Sequence, residues 1–109
     1  MSGLDLFQGT LDVLVLQALS HGPRHGYDVA RFIRERSGET FRILDGALYT
    51  SLHRMEERGW VASEWGISDR GKRAKFYQLT RDGRRALKSE SLNWERYVKA
   101  VASVMRSTS

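Results

Sequence analysis

The chain has 109 residues and a formal charge of +5, with 18 Lys and Arg against 13 Asp and Glu. That length fits one small domain by the usual range of roughly 100–200 residues, and the positive surplus favours a polyanionic partner. Cysteine is absent, which excludes disulfides, thiolate metal sites and thiol nucleophiles.

Met1 to Phe7 has no basic run ahead of an apolar stretch, so no secretion signal is expected there. No apolar run approaches the roughly 18 residues of a membrane span. A soluble, cytoplasmic chain with no membrane partner is expected.

The first helix is predicted from about Thr10 to Leu19. Leu11, Leu14, Val15 and Leu19 recur at helical spacing, widened by Val13 and Leu16. Thr10 is the expected N-cap, Asp12 sits near the positive helix end, and Gly22-Pro23 stops the helix. Leu4 and Phe7 precede it, as an extension or as an arm packing on a second subunit. A second helix is predicted from near Gly26 to Ser37-Gly38, burying Tyr27, Ala30 and Ile33, with Gly38 closing it in a left-handed conformation. Between Glu39 and Leu44, the alternation of Phe41 and Ile43 with polar neighbours allows a very short strand. A third helix follows Asp45, its expected cap, and is closed by Gly59. Its buried face is Leu48, Leu52 and Met55.

Two strands follow, Trp60–Trp65 and Ala74–Leu79, rich in aromatic and β-branched residues. The stretch from Gly66 to Arg73 between them has the composition of an exposed hairpin loop. The last helix is predicted from Arg81, capped by Thr80, to near Met105. Leu87, Ser91, Trp94, Val98, Val101 and Met105 follow one another at alternating spacings of four and three residues, a heptad-like seam. So small a core leaves much of that seam for a second subunit.

Three helices, a basic hairpin and a long helix make a winged helix-turn-helix: a mostly α fold with a small β-hairpin. Residues 1–80 are expected to form the DNA-binding domain and residues 81–109 a dimerisation helix. In such folds the later helix of the pair presents residues to base edges in the major groove. Its first turn here holds Gly46, Ala47, Tyr49, Thr50 and Ser51. Small residues and free N–H groups there suit close approach to a phosphate or base edge. Thr50, Ser51 and Arg54 are expected on the exposed face, with Arg54 directed to guanine or to a phosphate. Tyr49 either donates its hydroxyl to a phosphate or is half-buried core. In the wing, Arg70, Lys72, Arg73 and Lys75 form a basic run suited to phosphates of any sequence. Alternation puts Arg73 and Lys75 on one face; a merely solvated charge run is the plainer alternative. Arg24 and His25 either meet the DNA backbone or, for His25, cap the second helix locally.

Nothing points to catalysis. The three histidines, His21, His25 and His53, form no HExxH motif and have no evident third ligand. No Ser, His and Asp arrangement or glycine-rich phosphate loop stands out. No enzyme, metal or cofactor is expected.

Several segments together resemble the PadR-type transcriptional regulators, in the short subclass with one C-terminal helix. They are Leu11-Asp12-Val13-Leu14-Val15-Leu16, His25-Gly26-Tyr27-Asp28-Val29-Ala30, the run from Gly46 to Val61, and the run from Arg73 to Gly83. The resemblance covers roughly Leu11 to Trp94. It implies a homodimer joined through the C-terminal helix, with the two third helices in successive major grooves of a roughly palindromic double-stranded operator and the wings over neighbouring phosphates or the minor groove. It also implies a repressor, of a kind usually released by small effectors. Some short members bind flat aromatic ligands between tryptophans in the dimer cavity, and Trp94 occupies a comparable part of the last helix. Leu4, Phe7, Leu87, Trp94, Val98, Val101 and Met105 are therefore expected at the dimer contact or effector pocket; a tryptophan of the dimer core is the plainer reading of Trp94. One departure is Thr50, where the family often has proline. The Trp60 and Trp65 strands also resemble regulators associated with export permease genes. The competing readings are a winged-helix protein-interaction module and a small-molecule-binding module, both without specific operator binding.

Overall fold

The computed structural model describes Leu6 and residues 9–107. Leu4 and Phe7 lie outside the described residues. The elements in chain order are α1 (Thr10–Leu19), β1 (Arg24–His25), α2 (Gly26–Arg36), α3 (Asp45–Glu57), β2 (Val61–Ile67), β3 (Arg73–Leu79) and α4 (Arg81–Met105). This is the mostly helical winged architecture expected from the sequence, with one addition: β1 joins the hairpin to make a three-stranded antiparallel sheet in the order β1-β3-β2. β1 pairs Arg24 with Tyr77 and His25 with Phe76, so the open edge of β3 is covered by the residues just before α2.

The core forms where the helices meet the sheet. α1 lies at its centre, with Val13, Val15, Leu16, Ala18 and Leu19 all buried. α2 adds Val29, Ala30 and Ile33, α3 adds Leu48, Leu52 and Met55, and the sheet adds Val61, Tyr77 and Leu79. Tyr27, expected inside, is exposed instead; Val29 takes the inward position. α2 and α3 end alike. The N–H groups of Gly38 and Glu39 return to the carbonyls of Glu35 and Arg34, and those of Gly59 and Trp60 to Glu56 and Met55. Each pair satisfies carbonyls that the helix end leaves without partners.

The helix starts differ from expectation at two places. The N-cap of α1 is Gly9 rather than Thr10, which is buried as the first helical residue. The N-cap of α3 is Leu44 rather than Asp45, and no side chain caps it. Asp45 therefore acts only through its charge near the helix start. The connector before α3 contains a single β-bridge at Phe41.

α4 begins as part of the core and then leaves it. Thr80 caps it as expected, its Oγ1 accepting from the Gly83 N–H at 3.0 Å and donating to the Gly59 carbonyl at 2.6 Å. The Thr80 N–H donates to the Trp60 carbonyl at 3.0 Å. Gly83 lies against that same carbonyl so closely that an added Cβ would stand 1.9 Å from its oxygen. Ala86 and Leu87 pack on the core next. Past them the helix borders the start of α1 as far as Tyr97, and the last turns of its 25 residues extend beyond, in keeping with the elongated 58 × 35 × 21 Å extents.

Candidate nucleic-acid interface

The sheet pleat builds the wing surface. Register places Trp65 opposite Lys75 and Ile67 opposite Arg73. With a side-chain period of two, Val61, Ser63, Trp65 and Ile67 share one face with Leu79, Tyr77, Lys75 and Arg73. Near the body this face is core; farther out it faces solvent. There the Arg73 guanidinium lies 4.5 Å from the Trp65 ring centre and the Lys75 ammonium 5.9 Å from that of Tyr77. Arg73 and Lys75 thus share a face, as alternation predicts. The aromatic rings beneath hold their cationic heads without neutralising them. Arg70 and Lys72 are exposed in the loop, where the Ser68 N–H donates to the Lys72 carbonyl at 2.8 Å and closes the turn.

An open groove of about 680 Å³ separates the wing from α2 and α3, with Tyr27, Tyr49, Trp65, Arg73, Lys75 and Tyr77 among its walls. Asp28 and Asp69 also line it. Asp28 is countered by Arg31 at 2.7 Å. The groove is therefore basic on the wing side and aromatic on its floor.

Tyr49 is 48% exposed, and its ring lies across the start of α2. A Cβ on Gly26 would fall 2.6 Å from the Tyr49 hydroxyl oxygen, so glycine is what lets the ring lie there. His25, next to that glycine, caps α2: its Nδ1 accepts from the Asp28 N–H at 3.3 Å. Its ring also meets Phe76 edge-on, with centroids 5.5 Å apart. His25 thus makes the local cap that the sequence allows. Arg24 is likewise engaged by the fold, donating from Nε to the Ala18 carbonyl at 3.0 Å and covering the Phe32 ring at 4.8 Å.

On α3, Gly46, Ala47, Tyr49, Thr50 and Arg54 are exposed. Ser51 is not: it is 1% exposed, and its hydroxyl donates to Asp12 Oδ1 on α1 at 2.6 Å. The expectation that Ser51 faces outward is corrected, because it lies on the same helical face as Leu48, Leu52 and Met55. Arg54 Nη2 donates to the same Asp12 oxygen at 2.5 Å. The sequence suggests for Asp12 only a complement to the α1 dipole. Tyr27, Trp65, Arg31 and Asp12 are the residues at this surface that sequence reasoning does not single out. For Trp65 the alternation of β2 against Arg73 and Lys75 carries the signal.

At the far end, Trp94 and Tyr97 stack with centroids 5.6 Å apart and planes inclined by 17°. They border a groove of about 280 Å³ whose other side includes Gly9, Thr10 and Val13. Tyr97, Val98, Val101, Val104 and Met105 continue the same side of α4 and are exposed. Leu87 differs from these exposed residues, being half-buried against the chain's own core.

Residues 15–89 match the model of the PadR-like family of transcriptional regulators. A protein of Lysinibacillus sphaericus is 31% identical over 91 residues, 83% of each chain. A transcriptional regulator of Clostridium thermocellum superposes with a TM-score of 0.79 at 27% identity, covering 88% of this chain and 90% of that one. A PadR family transcription regulator of Clostridium difficile gives a TM-score of 0.74 at 30% identity, covering 91% of this chain and all of the other.

Proposed function

The chain belongs to the PadR-like family of transcriptional regulators, which bind DNA and are not enzymes, and from that premise we propose that it acts in the cytoplasm as a homodimeric operator-binding repressor. The observation that carries this reading is the basic wing, which shares one open groove with Tyr49 of α3, beside the exposed Gly46, Ala47, Thr50 and Arg54 of the same helix. α3 enters the major groove with Gly46, Ala47, Tyr49, Thr50 and Arg54 against the DNA, and the Tyr49 hydroxyl reaches a phosphate. Arg70, Lys72, Arg73 and Lys75 hold the flanking backbone. Ser51, Arg24 and His25 support this surface from within. Residues 1–80 form the DNA-binding part and residues 81–109 the dimerisation helix, with the first turns of the helix also completing the core.

The apolar side of α4 supports dimerisation. The half-buried Trp94 and the exposed Tyr97, Val98, Val101, Val104 and Met105 recur at helical spacing and form a surface that the chain covers only in part. Two such helices packed about a two-fold axis cover it. The stacked, half-open Trp94 and Tyr97 rings favour a second element of the reading: a flat aromatic effector lodged beside them, whose binding releases the operator.

Selection of bound duplexes from a randomised library, repeated at several salt concentrations, tests the central claim. A palindrome with half-sites about one helical turn apart is expected. Salt-sensitive binding with no recovered motif would leave only generic electrostatic attraction and favour an interaction module. Sedimentation of the free chain tests the dimer, and quenching of tryptophan emission by planar aromatic compounds, lost in Trp94→Ala, tests the effector site.

A further inference from the structure

Asp12 holds Arg54 from a different helix, 42 positions away in the chain. Its side chain is only 18% exposed, whereas that of Arg54 is 43% exposed. The carboxylate is itself anchored, because the buried Ser51 hydroxyl donates to the same Oδ1. Ser51 thus fixes Asp12, and Asp12 fixes Arg54 within one turn of the helix that carries both Ser51 and Arg54.

We propose that Asp12 is a positioning residue that sets sequence discrimination by holding Arg54 for a base edge. This rests on the reading above that α3 enters the major groove. Two physical arguments support it. A guanidinium presents five N–H donors in a rigid fork, so one donor given to Asp12 leaves others for a base. Its long side chain loses rotamer freedom on docking, and prior immobilisation removes that cost. An unrestrained arginine on the same helix would also turn to the nearest phosphate, the stronger electrostatic attractor. A fixed carboxylate beside it is repelled by phosphate, which biases Arg54 toward the neutral acceptors of a base.

The test uses the full chain and the best-bound duplex recovered from a randomised library, together with single-base variants of it. Arg54→Ala is expected to flatten preference at one position per half-site, and Asp12→Asn to lower discrimination at that same position by about tenfold. The double variant is expected to be no worse than Arg54→Ala alone. Ser51→Ala, which loosens the Asp12 carboxylate but leaves Arg54 its partner, should lower discrimination at that position by less than Asp12→Asn does.

If Arg54→Ala flattens the profile and Asp12→Asn does not, or if their effects add, the positioning role is overturned. It is equally overturned if Ser51→Ala flattens the profile as strongly as Asp12→Asn. If Arg54→Ala leaves preference unchanged at every position, base contact by Arg54 fails, and the proposal fails with it; recovery of a palindrome in the same selection would show that the operator-binding reading survives. Melting temperatures accompany each variant. Should Asp12→Asn not fold, Asp12→Glu keeps the charge but displaces it by a methylene. Partial loss of discrimination is then expected, and full retention overturns the idea.

Discussion

Gly26 and Tyr49 occupy one another's space: the position a Cβ would take at Gly26 lies 2.6 Å from the Tyr49 hydroxyl oxygen. The start of α2 therefore determines where a tyrosine of α3 rests. Gly26→Ala should swing Tyr49 away rather than break the core, since the clash is with a side chain that has room to move. The expected result is a loss of about 1 kcal/mol in stability and a larger proportional loss of operator affinity. Thermal denaturation and a duplex binding titration measure the two. Equal binding by the variant would show that the ring position is immaterial to DNA.

The wing makes a different prediction, because its charges act on phosphates of any sequence. Replacing Lys72, Arg73 and Lys75 by alanine should weaken binding to every duplex. It should also make the dependence of log affinity on log salt shallower by roughly 0.9 for each phosphate that is no longer neutralised. A changed affinity with an unchanged salt slope would remove the wing from the DNA backbone.

Leu87 and Val101 lie two heptads apart on α4 but are expected to fail differently. Leu87 packs on the chain's own core, so Leu87→Ala should lower the stability of each subunit by about 2 kcal/mol, the low end for a leucine that is only half-buried. Val101 is 44% exposed, so Val101→Asp should leave the winged domain folded and shift the chain from dimer to monomer. Sedimentation and circular dichroism of both variants separate the two effects.

Tyr77 carries a pH prediction. Burial, and then the nearby Glu56 and Tyr49, raise its hydroxyl pKa above the ordinary tyrosine value of 10.0. The folded chain thus holds this proton more tightly than the unfolded chain. The resulting stabilisation is complete below the unfolded value and is lost as pH rises through the folded one. Denaturant titrations at increasing alkaline pH should show stability falling above about pH 10, less steeply in Tyr77→Phe. A parallel decline in both proteins would mean that other groups govern it.

The helices and the hairpin are readable because each repeats a period long enough to be seen. α1 and α3 show apolar residues three and four apart, and the strands alternate between turn-forming residues. β1 has no such period: it is two residues long, formed only because β3 offers an open edge. Ser51 misleads although its spacing from Leu48, Leu52 and Met55 puts it on the inner face. Its hydroxyl suggests solvent, and the partner that makes burial tolerable, Asp12, lies on another helix. The same long-range pairing hides the role of Asp12. The His25 cap and the Arg24 contacts likewise depend on neighbours brought in by folding. Trp65 escapes notice for the opposite reason, since a tryptophan in a strand suggests core until the register sends it outward.

The joint between α3 and α4 has a mechanical consequence. Thr80 bonds to Gly59 and Trp60, and Gly83 sits directly on the Trp60 carbonyl, leaving no slack between the end of one helix and the beginning of the next. Over its 25 residues, α4 is a rod about 37 Å long, welded at one end to the reading head. In the proposed dimer, the angle at which two such rods cross fixes the separation and tilt of both heads. A molecule that pries the rods apart near Trp94 need not touch α3: a few degrees of rotation would be geared directly into a mismatch with the pitch of the double helix.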